Sequence, residues 1–317
     1  AMKPPRVFLG LTEVSGYYRH LAEGFRQIGV PVSFVDLTGH PFAYGGGDDH
    51  PLAGRIRRLH AAYRELPARR VFTRWLLKAR LFLLKCRLLV WALRRHDAFI
   101  FGFATSFFHF RELWLLRLLG KKVIFQFHGS DSRPPYMDAA ILCEDDFQAK
   151  RCIALTRQRK RAVRIIDRHA DVVVNIPTQG HFHERKFVNW LCIGLPCLPP
   201  ADAADAPPPA GAGPVRILHC PTRRDVKGTE RIRGIVSDLK DRGLDVELVE
   251  ISGQPNTVVA EEMKRCDIVL DQLYADYGMP GLATEAAWFS RPVVIGGYAA
   301  HLWEQLLPEN MRPPTRY

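Results

Sequence analysis

His219-Cys220-Pro221-Thr222-Arg223-Arg224-Asp225-Val226-Lys227-Gly228-Thr229 decides the reading of this 317-residue chain. The apolar run Val215-Arg216-Ile217-Leu218 leads into it and a helical pattern follows, so its cations stand where a strand gives way to a helix. Open α/β sheets bind ligands beyond the carboxyl ends of their strands. At that edge Arg223 or Arg224 can grip phosphate oxygens as a planar fork, Lys227 adds a point charge, and Gly228 lets backbone come close. Fifty-eight residues after Lys227 stands Glu285, within Pro280-Gly281-Leu282-Ala283-Thr284-Glu285, and the strand-like Pro292-Val293-Val294-Ile295 follows. A carboxylate on a helix that opens after a Gly turn suits recognition of hydroxyl groups.

The ordered pair of segments resembles the C-terminal domain of retaining GT-B glycosyltransferases, the group 1 type found in bacterial polysaccharide and glycolipid assembly. A lone Arg-x-x-x-Lys-Gly is usually a solvated loop; the pair, each half after a strand, is a much stronger signal. In that family the Arg and Lys hold a nucleotide diphosphate and the late Glu holds the ribose. The resemblance therefore implies that Arg223, Arg224, Lys227, Gly228 and Glu285 bind a UDP- or GDP-linked sugar, which is a substrate rather than a cofactor. It implies transfer with retention, in which the departing diphosphate helps deprotonate the acceptor. Preorganised cations stabilise the charge that grows on that diphosphate. Because cations stand in for a metal, no catalytic metal is expected, and the chain carries no Asp-x-Asp motif. The family's Glu-x7-Glu pattern is broken: Tyr277 stands eight residues before Glu285, so the identity of the transferred sugar does not carry over. Backbone amides of Met279, Gly281 and Leu282 are the candidates to meet the sugar instead.

Upstream of this half, residues 199–213 read PPADAADAPPPAGAG, too poor in apolar side chains to pack and rich enough in Pro and Ala to form a semi-stiff connector. The expected organisation is an N-terminal Rossmann-like acceptor domain over 1–199, a linker over 200–213 and a C-terminal nucleotide-sugar domain over 214–317. Strands are expected at 7–11, 32–37, 98–103, 122–127 and 171–175 in the first half, with a helix over 17–28. In the second half they are expected at 215–219, 246–251, 267–270 and 293–295. Strand and helix alternate throughout, which predicts parallel sheets covered on both faces and a ligand cleft between two facing units. The second unit is short, about 110 residues after the linker, and its sheet is expected to be incomplete.

The first half contributes its own candidates. Phe125-Gln126-Phe127-His128-Gly129-Ser130-Asp131-Ser132-Arg133 ends an apolar strand. The resemblance implies that His128 contacts the donor sugar and its phosphates; the alternative is a capping histidine. Asp131 and Arg133 either orient a sugar hydroxyl or pair with each other. Gly16 opens the first helix, where backbone N–H groups can face the leaving phosphate, or where the turn is simply capped. A cluster of His181, His183, Cys192 and Cys197 matches no standard zinc spacing and is read as packing and turn residues.

Charge is concentrated. The net charge is +12, and residues 55–95 alone hold thirteen Arg and Lys against one acid, Glu65. A segment this basic points to an anionic surface. Residues 51–95 read as a helical insertion with two apolar stripes. One contains Phe72, Trp75, Phe82, Cys86, Leu89, Val90 and Leu93; the other contains Leu77, Leu81, Leu84, Leu88 and Trp91, bordered by Arg80 and Arg87. The second stripe is expected to lie in an anionic membrane interface, against an alternative in which long cations snorkel over a covered core. Uncharged runs are far short of the roughly 20 residues that cross a bilayer. Nucleic-acid binding is disfavoured because no reading module or repeated stacking platform occurs. With a strand directly after Met2, and seven cysteines read as buried thiols, the expected location is cytoplasmic, peripheral on the inner face of the cell membrane. The acceptor is then lipid-linked or a membrane-proximal saccharide. A soluble acceptor, or a non-catalytic nucleotide or anionic-polymer binding module, is the competing expectation.

Overall fold

The computed structural model describes residues 3–38, 48, 50–137, 146–197, 199–200, 213–274, 276, 280–297 and 299–312. The first half contains β1 (Val7–Leu11), α1 (Tyr17–Gln27), β2 (Val32–Asp36), α2 (Pro51–Glu65), α3 (Val71–Arg95), β3 (Ala98–Gly102), α4 (Leu113–Leu118), β4 (Lys122–Gln126), α5 (Asp146–His169), β5 (Val172–Asn175), β6 (Val188–Asn189) and α6 (Trp190–Ile193). Its six strands pair in parallel in the order β2-β1-β3-β4-β5-β6. The second half contains β7 (Val215–His219), α7 (Arg224–Lys227), α8 (Thr229–Asp241), β8 (Val246–Glu250), α9 (Asn256–Met263), β9 (Ile268–Leu270), α10 (Gly281–Trp288), β10 (Val293–Val294) and α11 (Trp303–Leu306). Its four strands are also parallel, ordered β10-β9-β7-β8. The protein is therefore α/β with two Rossmann-like units built on parallel sheets, as expected from the sequence. The proposed linker falls almost wholly outside the described residues.

Alternation along the strands builds the two layers of the first unit. Phe8, Phe99 and Phe101 point into one core with α2, α3, α4 and α5, while Val7, Leu9 and Ile100 point into the other with α1 and α6. β1 and β3 are buried along their whole length, which is why they read as unbroken apolar runs. In each sheet the strand order reverses beside the first strand, between β1 and β3 and between β7 and β9. Crevices at such reversals open beyond the carboxyl ends of the strands, where the loops after β1, β4, β7 and β9 converge.

The basic insertion is a helical hairpin of α2 and α3, and its facing is the reverse of the expectation. Leu81 and Leu88 are buried, and Leu84 and Trp91 pack against the same core. Leu77 is half-buried, so the stripe assigned to the membrane is the one that covers the sheet. The physical reason is that Phe8, Phe99 and Phe107 make a deep aromatic floor that Leu88 and its neighbours fill. The outward face is the aromatic, amino-terminal part of the other stripe, with Phe72 75% exposed, Trp75 62% and Phe82 57%, joined by Leu83 at 60%, whereas Leu89 of that stripe is buried and Leu93 packs on the core. Arg80 and Arg87 do remain exposed, along the edge of this outward stripe.

α3 returns the chain to the start of β3, so its amino end lies toward the carboxyl edge of the sheet. Consistent with this, Phe82 packs on Phe108 of the loop after β3, with ring centroids 5.2 Å apart. The first buried residue of α3 is Leu81. The ten residues before it, Val71 to Arg80, extend about 15 Å beyond the core on the cleft side. Arg74 ties this overhang to α2 through the Tyr63 hydroxyl (2.9 Å) and the Leu66 carbonyl (2.7 Å).

Candidate active site

A cavity of about 200 Å³ opens at the carboxyl edge of the second sheet, lined by Thr222, Lys227, Asn256, Gln272, Gly281, Leu282 and Glu285, with Ser15 from the first half. A smaller one of about 120 Å³ is lined by Tyr17, His128, Trp190 and Trp288, and shares Ser15, Gly281 and Glu285 with it. Residues from both sequence halves thus meet around one cleft. Of the residues singled out in the sequence, Lys227, Gly281, Leu282 and Glu285 line the first cavity and His128 the second. Met279 lies outside the described residues.

The cations after β7 are not bare. Lys227 Nζ lies 2.6 Å from Asp271 Oδ1, a carboxylate with no exposed side-chain surface, whose Oδ2 is sealed without a partner among the described residues. Arg223 pairs with Asp225 at 2.8 Å and Arg224 with Glu250 at 3.0 Å, both on the exposed flank of α7 rather than in the cavity wall. Any anion that approaches these cations must displace a carboxylate. Gly228 ends α7 and opens α8 at φ 74°, in the left-handed region. A Cβ there would crowd Leu273 and Tyr274 at 3.1 Å, so glycine serves both the turn and the packing beneath the cavity. His219 lies deeper still and is structural, bonded to the Leu270 carbonyl and the Thr229 hydroxyl.

Glu285 is poised near neutrality. Burial pushes its carboxyl up to about 7, with Asp271 adding to the rise and a 3.0 Å hydrogen bond from Asn256 Nδ2 opposing it. His128 is the converse. It touches the smaller cavity, yet Tyr17, Tyr18, Trp190 and Phe103 surround its ring, and burial pushes its pKa down to about 3. The imidazole is neutral at every physiological pH.

Three expectations about the first half are corrected. Gly16 does cap α1 with φ 78°, but Glu13 already fills the helix N-terminus, accepting from the amides of Val14 (2.6 Å), Tyr18 (3.2 Å) and Arg19 (2.9 Å). Gly16 lines neither cavity; its neighbour Ser15 lines both. Asp131 does not reach into the cleft: Oδ1 accepts from the amides of His128 (3.0 Å) and Gly129 (2.9 Å), folding the loop that carries the histidine. Burial holds its pKa up at about 6 despite those bonds. Arg133 does not pair with Asp131 but crosses to the second half, its NH1 3.0 Å from Asp276 Oδ2. Thr178 donates to the Asp276 carbonyl at 2.8 Å, so one residue of the β9–α10 connection is clasped by two loops of the first unit. The His-Cys cluster is likewise resolved in part: His183 is held by Asp167 (2.8 Å) and Asn175 (2.9 Å), as a packed polar network.

Sequence reasoning did not single out Ser15, Tyr17, Tyr18, Trp190 or Asn256 as site residues. The adjacent tyrosines opening α1, directly after the loop from β1, were the available signal. Trp190 and Asn256 gave none, since their helices carry no motif.

No protein-family model matches the chain, and no curated protein matches it. Among solved structures, it is similar to the Anabaena protein Alr3699/HepE in complex with UDP and glucose, at 12% identity and TM-score 0.47, over 95% of this chain and 83% of that one. It is similar to a Polygonum tinctorium UDP-glucosyltransferase capable of glucosylating indoxyl, at 11% identity and TM-score 0.42, over 93% and 80%. It is also similar to the Methanocaldococcus jannaschii UDP-GlcNAc 2-epimerase, at 9% identity and TM-score 0.37, over 92% and 83%. At these identities and TM-scores the similarities assign no chemistry.

Proposed function

We propose that the protein is a nucleotide-sugar-dependent glycosyltransferase, of the hexosyl-transferring type, acting on a lipid-linked or membrane-proximal saccharide at an anionic membrane surface. The observation that carries the reading is the cleft itself: Lys227, Gly281 and Glu285 converge on one cavity at the carboxyl edge of a parallel sheet, and His128 and Ser15 approach it from the facing unit. Lys227 would receive the diphosphate, with Arg223 and Arg224 one helical turn away, and Glu285 would accept from ribose hydroxyls. The Gly281 and Leu282 amides, at the N-terminus of α10 that no side chain among the described residues caps, suit the sugar or its phosphate. The neutral imidazole of His128 can donate to a sugar hydroxyl without adding charge. Transfer with retention, without a metal, is the chemistry this set of groups is proposed to serve: the cations offset charge on the leaving diphosphate, which then takes the acceptor's proton.

The outward aromatic stripe of α3, flanked by Arg80 and Arg87, is the proposed membrane contact in place of the stripe the sequence suggested. Among the described residues no helix is long and apolar enough to cross a membrane.

The test is a calorimetric titration of wild type, Lys227→Ala and Glu285→Ala with UDP, GDP and their sugars. Binding by one nucleotide series, weakened about tenfold or more in each variant, is the expected result. No binding by either series would end the reading.

A further inference from the structure

We infer that Tyr18 is a positioning residue that sets the tautomer of His128: its phenol donates to Nε2, so the ring proton resides on Nδ1 and points a donor at the cleft. This rests on the donor-site reading of that cleft. The Tyr18 hydroxyl lies 2.8 Å from His128 Nε2, and Tyr18 has no exposed surface. A phenol buried this way must donate to something, since an unmade hydrogen bond in a dry site costs more than a made one returns. Among the described residues its partner is Nε2.

The ring of His128 has two nitrogens, and in the neutral form only one carries a proton. With Nε2 accepting, Nδ1 carries it. Nδ1 has no protein partner among the described residues, and it is not one of the sealed polar atoms, while the ring lines the cavity shared with Glu285. The backbone is built around this contact. A Cβ at Gly102, the last residue of β3, would overlap the Tyr18 hydroxyl, so glycine there leaves the notch that admits the phenol. Asp131 fixes the backbone that carries the ring by accepting from the His128 amide. Neutrality of the imidazole, which burial enforces, is what makes the tautomer a choice at all.

The experiment is two-bond ¹H–¹⁵N correlation of ¹⁵N-histidine-labelled protein, wild type beside Tyr18→Phe, with His128 assigned by His128→Gln. The expected result is the Nδ1–H form in wild type and a shift toward Nε2–H in Tyr18→Phe, which keeps the ring and loses only the hydroxyl. An Nε2–H form in wild type, or an unchanged tautomer in Tyr18→Phe, overturns the inference. Titration with whichever UDP- or GDP-sugar binds supplies the second arm. Tyr18→Phe is expected to bind it about 5–10-fold more weakly, the loss of one aimed donor; unchanged affinity overturns the positioning role. If the tautomer is as stated but no nucleotide sugar binds wild type, the donor-site reading fails while the Tyr18–His128 assignment stands.

Discussion

Glu285 shows how much of this site is set by neighbours rather than by residue type. Its carboxyl, held near 7 by burial, is partly protonated at neutral pH. A group whose folded pKa exceeds its unfolded value of 4.5 takes up a proton on folding, so its contribution to stability is present at low pH and is lost as pH rises toward about 7. Ligand hydroxyls that donate to the carboxylate favour the charged form, so binding has the opposite sign. UDP-glucose or GDP-mannose, whose diphosphate diesters do not titrate here, should bind more tightly as pH rises from 6 to 8, with proton release; Glu285→Gln should bind weakly with no such dependence. Calorimetry in buffers of differing ionisation enthalpy reads both. Lys227, Glu285 and His128, which line the two cavities, stood out in the sequence through ordered motifs after strands, a stronger signal together than any one alone. Asp271 beneath Lys227 and Glu13 across the α1 amides were not, because pairing joins residues whose spacing in the chain carries no pattern.

At the scale of elements, the apolar runs located nine of the ten described strands and α1 to within a residue or two, while β6, only two residues long, escaped and most helices were expected only as stretches between strands. The same method found both apolar stripes of α3 but turned the wrong one outward. A helical wheel reports that two faces are apolar; which one meets the core depends on the Phe8, Phe99 and Phe107 floor, assembled from distant segments. The corrected facing separates two kinds of variant. Leu88→Ala removes a fully buried side chain and should cost about 2–5 kcal/mol of stability by denaturant unfolding. Phe72→Ser with Trp75→Ser, on the exposed overhang, should change the unfolding free energy by less than about 0.5 kcal/mol while sharply reducing co-sedimentation with anionic vesicles. The reverse pattern would return the outward face to Leu81 and Leu88.

For the molecule as a whole, the two-unit plan followed from strand–helix alternation and an unpackable Pro-Ala segment, whereas the clasp on Asp276 did not, since it joins Arg133 and Thr178 to a residue far along the chain. The distribution of paired and unpaired charge has a further consequence. Every cation of the cleft motif sits beside a carboxylate, so the cleft is nearly mute beyond a Debye length of about 8 Å at physiological salt. The hairpin, with thirteen cations and one acid over residues 55–95, is heard at a distance. On the proposed function, far field and near field would address different anions: a charged surface would be sensed first and from afar, a nucleotide only on arrival. Raising salt from 50 to 500 mM should accordingly abolish most vesicle binding while changing nucleotide-sugar affinity by less than about threefold. The protein would find its place before it finds its substrate.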